Sequence, residues 1–123
     1  MRESDHPILS PEILGERLDA GGAVLSLRVP ENLAYFEGHF PKIAILPGVV
    51  QIQWAVQLAR RYLNIRLPFR HMEVIKFKEL VLPGQHLELI LRYQPSARKL
   101  DFSFRSENHE HSSGRIYFDD SPV

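Results

Sequence analysis

Residues 35–57 read YFEGHFPKIAILPGVVQIQWAVQ, and this stretch decides the fold of the chain. A loop that carries one histidine, His39, leads here directly into a long apolar segment. Pro41 and Pro47 fix the backbone on either side of the loop. Gly48 then opens a helix whose first amides have no partner within the helix. The stretch therefore predicts a rigid junction that can hold a carbonyl oxygen beside a histidine.

The apolar segment predicts one long helix from Gly48 to about Leu63. Its residues are apolar on nearly every face until Arg60 and Arg61, which is typical of a helix that is buried all round. Before it, residues 12–19 and 23–29 flank Ala20-Gly21-Gly22, and glycines between two patterned runs favour a β-hairpin.

Four further strands are predicted after the helix, at about residues 71–78, 86–94, 98–106 and 113–118. Turn signals separate them, and the last two are divided by the polar stretch 107–112. Alternating apolar residues mark one face in two of the strands: Leu87, Leu89 and Leu91, then Leu100, Phe102 and Phe104. One helix and about six antiparallel strands pack most simply as an α+β fold, a curved sheet around a central helix. No linker divides residues 1–123, so a single domain is expected.

Composition narrows the classes of partner. The 123 residues include 15 basic and 15 acidic side chains, so no overall field attracts nucleic acid or anionic membrane. Cysteine is absent from the sequence, which excludes disulfides and thiolate chemistry. Neither a membrane-spanning run nor the apolar core of a signal peptide is present, so a cytoplasmic location is expected. Edge strands need covering, and a symmetric dimer is one way to cover them.

Two segments resemble the signature of the FabA/FabZ-type 3-hydroxyacyl-acyl-carrier-protein dehydratases, which have the hotdog fold. The first is GHFPKIAILPGV at residues 38–49, similar to the pattern Gly-His-Phe-Pro-x-x-Pro-x-x-Pro-Gly-Val with Ala44 in place of the middle proline. The second is IKFKELVLPG at residues 75–84, which resembles the lysine-phenylalanine strand and the Pro-Gly turn of that family. The resemblance covers about residues 12–118. It is strongest to the ApeI-like thioester dehydratases of aryl-polyene pigment biosynthesis.

This resemblance implies an enzyme that dehydrates a 3-hydroxyacyl thioester to the trans-2-enoyl thioester, in fatty-acid-like or aryl-polyene synthesis. His39 would be the base, a role that a neutral imidazole can fill at cytosolic pH. The amide of Gly48, with Val49 as a second donor, would hold the thioester oxygen. The candidate substrate-binding residues are Phe36, Gly38, Phe40, Pro47, Val49 and Gln57. Acyl carrier protein and a second copy of the chain are the implied partners, and no metal or redox cofactor is implied.

Gln53 stands where the family carries aspartate or glutamate. An amide cannot donate a proton as a carboxylic acid does, although it can hydrogen-bond the departing hydroxyl or a water. His39 would then return the abstracted proton itself. Two alternatives remain open: a catalytically impaired hotdog subunit that binds or scaffolds acyl thioesters, in which Gln53 satisfies a buried partner across the dimer, and a hotdog thioesterase. Gln57, one turn further along the helix, would support the site by hydrogen bonding.

Three other polar groups are weaker candidates. Glu37 is expected to be a solvated loop carboxylate and not the missing acid. Residues 109–111, His-Glu-His, resemble a ligand cluster, but alternate residues bring at most two imidazoles together, so a polar turn is expected there. Four arginines follow or end the helix and form either a basic patch for an acidic carrier protein or pantetheine phosphate, or ordinary solvated positions. These are Arg60, Arg61, Arg66 and Arg70.

Overall fold

The computed structural model describes residues 7–36 and 44–120. In chain order the elements are β1 (Glu12–Asp19), β2 (Gly22–Arg28), a short 3-10 helix (Ala34–Phe36), α1 (Gly48–Leu63), β3 (Phe69–Phe77), β4 (His86–Gln94), β5 (Lys99–Ser106) and β6 (His109–Phe118). The six strands form one sheet in the order β1-β2-β4-β5-β6-β3, and all neighbours are antiparallel. One helix against one antiparallel sheet confirms the expected hotdog fold.

The core lies between α1 and the inner face of the sheet. Trp54 is fully buried at its centre, and its indole Nε1 donates a 2.9 Å hydrogen bond to the carbonyl of Leu9. The predicted period-two faces are confirmed, because the leucines of β4 and the alternating Leu-Phe-Phe of β5 are buried. α1 ends at Asn64, which adopts the left-handed conformation that terminates helices.

The expectation that α1 is buried all round is wrong for the single chain. Val50, Gln51, Trp54, Ala55, Leu58 and Ala59 form its buried face. Val49, by contrast, is 70% exposed, and Gln53 and Gln57 follow it at successive turns on the exposed face. Residues four apart share one side of a helix, so these three form a continuous exposed stripe.

The predicted start of β6 and the predicted polar turn at residues 109–111 are also wrong. β5 and β6 form a hairpin around a turn at Glu107 and Asn108, and β6 already begins at His109. The composition of this polar stretch is typical of a loop. His111 and Ser112 are nevertheless buried, because each makes side-chain hydrogen bonds inside the fold.

β3 is one edge of the sheet, and its exposed surface is unusually apolar. Phe69, Met72, Val74 and Phe77 are all exposed large hydrophobic residues of this strand. Pairing with β6 is interrupted between Glu73 and Lys76, where Val74 has a φ of 48°. A β-branched residue with positive φ is rare, which marks this position as a bulge.

None of the helices in the described part of the chain is long and apolar enough to cross a membrane.

Candidate active site

The start of α1 presents backbone donors that no residue in the described part of the chain uses. Pro47 precedes the helix and makes no side-chain capping hydrogen bond. The amides of Val50 and Gln51 both donate to the carbonyl of Pro47, at 3.1 and 3.2 Å. The amides of Gly48 and Val49 come earlier in the first turn, and the described residues offer them no acceptor. They are therefore available to a bound oxygen, and the positive end of the helix dipole favours negative charge there.

A cavity of about 440 Å³ opens at this helix start. One wall comes from the junction into α1 and the other from the end of β3 and the loop after it. The lining residues are Ile45, Leu46, Pro47, Gly48, Val49, Gln51, Phe77, Lys78, Glu79 and Leu80. Most of these side chains are apolar, so the cavity suits an acyl chain whose one polar atom reaches the helix amides.

Gly48 leaves room for the ring of Phe77. A Cβ atom built on Gly48 would lie 2.5 Å from the tip of the Phe77 ring, far inside normal contact distance. The absence of a side chain lets the ring lie directly against the backbone of the helix start. Phe77 is 53% exposed in the single chain, so the other side of the ring remains free.

Gln51 is buried and hydrogen-bonds α1 to two segments, the junction before the helix and β6. It is only 3% exposed. Its side-chain Nε2 donates to the carbonyl of Leu46 at 3.2 Å, and its Oε1 accepts from the hydroxyl of Ser112 at 2.6 Å. Both ends of the amide are therefore satisfied, as a buried polar group requires. Gln51 therefore fills a buried-partner role within the chain, whereas Gln53 lies on the exposed face of the single chain, and a partner for it across a dimer stays a prediction.

The sequence-predicted site residues fall into three groups. His39, Gly38 and Phe40 lie outside the described residues, and so does Glu37. Pro47, Gly48 and Val49 come together at the cavity. The remaining three do not line it: Phe36 is partly buried against the core, and Gln53 and Gln57 are exposed along α1.

The charged side chains beside the cavity are paired with β6. Lys78 lies 3.1 Å from Glu110, and Glu79 lies 3.3 Å from His109. Burial raises the pKa of Glu110, but hydrogen bonds from Lys78 and Ser103 outweigh it and hold that pKa below its ordinary value of 4.5. Over the described ranges no group of three His, Cys, Asp or Glu side chains is placed to hold a metal ion.

One member of the predicted basic patch is a structural residue. Arg60 Nη1 donates to the carbonyls of Ile65 and Leu67, at 3.3 and 2.8 Å. Its guanidinium also lies over the ring of Phe118, 5.2 Å from the ring centre. Arg60 therefore stabilises the chain that leaves α1, while Arg61, Arg66 and Arg70 are exposed.

Sequence reasoning missed the polar residues beneath the cavity. Gln51 lies three, four and seven positions before Trp54, Ala55 and Leu58, so helical periodicity alone places it on the buried face. That signal was available. His111 carried no comparable signal, because its burial depends on partners from the β5 end and from the loop after β3.

The family model described as ApeI-like, ApeI dehydratase, matches residues 16–115 of this chain. Among solved structures, a chain of the dehydratase heterocomplex ApeI:P from Xenorhabdus doucetiae has a TM-score of 0.81 and 29% identity, covering 88% of this chain and 96% of that chain. An uncharacterised protein from Erwinia carotovora subsp. atroseptica has a TM-score of 0.78 and 32% identity, covering 92% of this chain and 97% of that chain.

Curated relatives match over a shorter region. The 3-hydroxyacyl-[acyl-carrier-protein] dehydratase FabZ of Clostridium beijerinckii is 34% identical over 68 residues, which cover 50% of this chain and 48% of that protein. The enzyme of the same name from Ruminiclostridium cellulolyticum is 32% identical over 80 residues, covering 58% of this chain and 56% of that protein. The chain therefore spans about half the length of these curated relatives.

Proposed function

Because the chain belongs to the ApeI-like family of dehydratases, we propose that it removes water from a 3-hydroxyacyl thioester carried on acyl carrier protein, giving the trans-2-enoyl thioester. The observation that carries this proposal is the apolar cavity at the start of α1, where residues 7–36 and 44–120 provide no acceptor for the amides of Gly48 and Val49. The pathway would be aryl-polyene or fatty-acid-like synthesis in the cytoplasm.

The backbone amides would supply the electrostatic part of catalysis. Elimination breaks the C2–H and C3–O bonds, forms the C2=C3 double bond and releases water. Negative charge develops on the thioester oxygen as the C2 proton leaves. Donors that are already oriented stabilise this charge at no cost of reorganisation, and the apolar walls strengthen their effect by excluding water. Gly48 and Val49 would bind the oxygen, while Pro47 fixes the backbone before them.

His39 and Gln53 would handle the proton. The family resemblance makes His39 the base that takes the C2 proton. In place of a carboxylic acid, the amide of Gln53 would hydrogen-bond the C3 hydroxyl. His39 would then return the same proton to the departing hydroxyl, so that water leaves and the imidazole is neutral again. Such a one-base route predicts slower turnover than in a relative with a carboxylate at this position.

A second copy of the chain would complete the site. The apolar edge of β3 and the stripe of Val49, Gln53 and Gln57 are exposed in the single chain. Monomeric proteins rarely leave such a surface open to water. In a dimer that covers both surfaces, Gln53 would face a substrate bound between the two copies. Phe36, Gly38, Phe40 and Gln57 remain proposed substrate-binding or supporting residues.

The test is conversion of 3-hydroxyacyl-carrier-protein substrates, with short and aryl-bearing acyl groups, by the purified protein. Loss of water would be followed by mass spectrometry for the wild type, His39→Ala and Gln53→Glu. Gln57→Glu is the matched control, because it adds the same charge one turn further along the exposed face. We expect dehydration by the wild type, none by His39→Ala, and faster dehydration by Gln53→Glu but not by Gln57→Glu.

A Gln53→Glu variant no faster than the wild type would refute the one-base explanation. Release of free carrier thiol instead of water would establish a thioesterase. Dehydration that survives in His39→Ala would remove that histidine from the mechanism.

A second function is favoured by one specific observation, the glutamine at position 53. The chain would then be a catalytically impaired subunit that binds acyl thioesters and pairs with an active partner carrying the carboxylate. The similar structure from Xenorhabdus doucetiae is itself described as a heterocomplex. Carrier binding without loss of water across the whole substrate panel would support this function over the first.

A further inference from the structure

Two consecutive buried residues of β6, His111 and Ser112, reach the two walls of the cavity separately. They are 2% and 0% exposed. The junction wall comprises residues 45–49 and Gln51, and the loop wall comprises residues 77–80. Neither β6 residue lines the cavity itself, so any effect on it must pass through the walls.

His111 holds the loop wall by three hydrogen bonds to three successive residues. Its backbone carbonyl accepts from the amides of Lys78 and Glu79, at 2.8 and 3.2 Å. Its ring Nδ1 lies 2.9 Å from the carbonyl of Leu80. A carbonyl oxygen only accepts, so Nδ1 must carry a proton. The free lone pair of Nε2 then accepts from the hydroxyl of Ser106 at 2.6 Å.

Gln85 makes the same tautomer favourable. Its amide Nε2 lies 3.4 Å from His111 Nε2, and its Oε1 accepts from the amide of Leu82 at 3.1 Å. The orientation of Gln85 is therefore set by Leu82, which turns its NH₂ group toward the imidazole. The ring thus accepts a short hydrogen bond from Ser106 at Nε2, with the NH₂ group of Gln85 more distant on the same lone pair, and donates one at Nδ1.

Ser112 holds the junction wall through Gln51. Its hydroxyl donates to Gln51 Oε1 at 2.6 Å, and Gln51 Nε2 donates to the carbonyl of Leu46 at 3.2 Å. The amide of Leu46 in turn donates to the carbonyl of Val81 at 2.8 Å, one residue beyond the loop wall. Together with the peptide bonds Leu80–Val81 and His111–Ser112, these hydrogen bonds connect β6 to both walls in a closed circuit.

We propose that His111 is a positioning residue, which sets the distance between the two walls and so places Phe77 against the amides of Gly48 and Val49. Its effect on turnover rests on the proposed dehydratase function, whereas its effect on the loop wall does not. Because amide donors act only when aimed at the developing charge, a displaced wall lowers turnover without removing any group that touches the substrate.

The first measurement concerns the wild type alone. Long-range ¹H–¹⁵N correlation of the imidazole rings assigns the tautomer of each neutral histidine. We expect His111 to be fixed as the Nδ1–H tautomer, whereas exposed His86 should show the usual mixture dominated by Nε2–H. An Nε2–H form of His111 would overturn the proposal, because that ring cannot donate to Leu80.

The second measurement compares His111→Leu, which cannot hydrogen-bond through its side chain, with His111→Asn, whose amide can donate to Leu80. His86→Leu, at an exposed position of β4, is the matched control. Hydrogen exchange at the amides of Lys78, Glu79 and Leu46 should accelerate in His111→Leu, recover in His111→Asn and stay unchanged in His86→Leu. Unchanged exchange in His111→Leu would refute the proposal.

Activity then separates positioning from general stability. In His111→Leu we expect kcat to fall about 10- to 100-fold with little change in KM, and His111→Asn to recover most of it. An equal loss in both variants would refute a positioning role. If His111→Leu does not fold, Ser106→Ala is the milder variant, because it removes only the hydrogen bond at Nε2. The Leu80 carbonyl still requires Nδ1–H, so the tautomer should stay, while exchange at the amides of Lys78 and Glu79 should accelerate as the ring loses one of its anchors. Unchanged exchange in Ser106→Ala would then refute the proposal. If the wild type shows no dehydration, the proposed function fails, while the tautomer and the exchange rates still decide the role of His111.

Discussion

The two faces of α1 use the same amino acid for opposite purposes. Gln51, on the inner face, has both ends of its amide hydrogen-bonded inside the fold. Gln53, two residues later on the outer face, is exposed. A rotation of about 100° per residue separates the two side chains by more than half a turn of the helix. The role of a glutamine here is therefore decided by its face of the helix and not by its chemistry.

The residues that stabilise the helix start and the residues proposed for function lie on different faces of α1. The inner face stabilises the junction before the helix, because Gln51 holds the carbonyl of Leu46. The outer face makes no comparable demand on Val49, Gln53 or Gln57. A substitution on the outer face can therefore change binding or turnover while the helix start stays in place.

The largest expected effect is on the inner face at Trp54. Trp54→Ala leaves a cavity in the core and removes the hydrogen bond to Leu9, so we expect a loss of about 3–5 kcal/mol in the free energy of unfolding. Urea unfolding followed by circular dichroism measures it. Val49→Ala, on the outer face, is the control, measured at low protein concentration. Equal losses of unfolding free energy in the two variants would show that the two faces do not differ in their contribution to stability.

The two glutamines themselves give the next largest effect. Gln51→Leu deprives the Ser112 hydroxyl and the Leu46 carbonyl of their partners, which should cost about 1–3 kcal/mol of unfolding free energy. Gln53→Leu should change the same quantity by no more than about 0.5 kcal/mol, as expected of an exposed site. If Gln53 contacts substrate, Gln53→Leu should lower turnover although the variant is as stable as the wild type. A large loss of stability in Gln53→Leu would contradict this assignment.

A smaller effect is expected at Gly48, where the two faces begin. Gly48→Ala pushes a methyl group against the ring of Phe77. The contact is with the far end of a half-exposed side chain that can turn away, so we expect a loss near the low end for overpacking, about 1 kcal/mol. The double variant Gly48→Ala with Phe77→Ala should recover that stability. Failure to recover it would mean that the backbone, and not the ring, requires glycine.

The smallest expected effect is the pH dependence of stability at Glu110. This residue of β6 pairs with Lys78 on the outside, whereas Ser112 of the same strand faces inward. The pKa of Glu110 is lowered in the folded protein, so its contribution is present above the unfolded pKa and is lost as pH falls through the folded pKa. Between pH 5 and 3 we expect Lys78→Met to lose less stability than the wild type, by under about 1 kcal/mol. Urea unfolding at several pH values measures the difference. If the free energy of unfolding falls equally with pH in the two proteins, the Lys78–Glu110 pair does not contribute to stability.

The elements of the fold could be predicted from periodicity, because each is a local pattern with a clear end. α1 runs from Gly48 to Leu63 as predicted, since glycine opens it and Asn64 closes it. The start of β6 could not be predicted, because a His-Glu-His run has the composition of a turn. Only the pairing of β6 with β5 and the hydrogen bonds of His111 make it a strand.

The candidate site was predicted in part. Pro47, Gly48 and Val49 meet at the cavity because a motif of adjacent residues needs no long-range contact to stay together. The loop wall comes from residues 77–80, about 30 positions further along the chain, and depends on how β3 crosses to β6. The role assigned to His39 remains a prediction from the family resemblance.

The bulge at Val74 also limits which strands can add to the exposed edge of β3. A flat apolar edge strand is a template on which any extended chain can add, and stacking of that kind continues without limit into fibrils. The positive φ of Val74 interrupts the row of backbone donors and acceptors partway along β3. An unrelated strand can therefore add over only part of this edge, whereas a partner whose own strand has the same interruption can match it throughout. Without the bulge, any extended strand could add along the whole edge of β3. We would then expect fibril formation at high protein concentration.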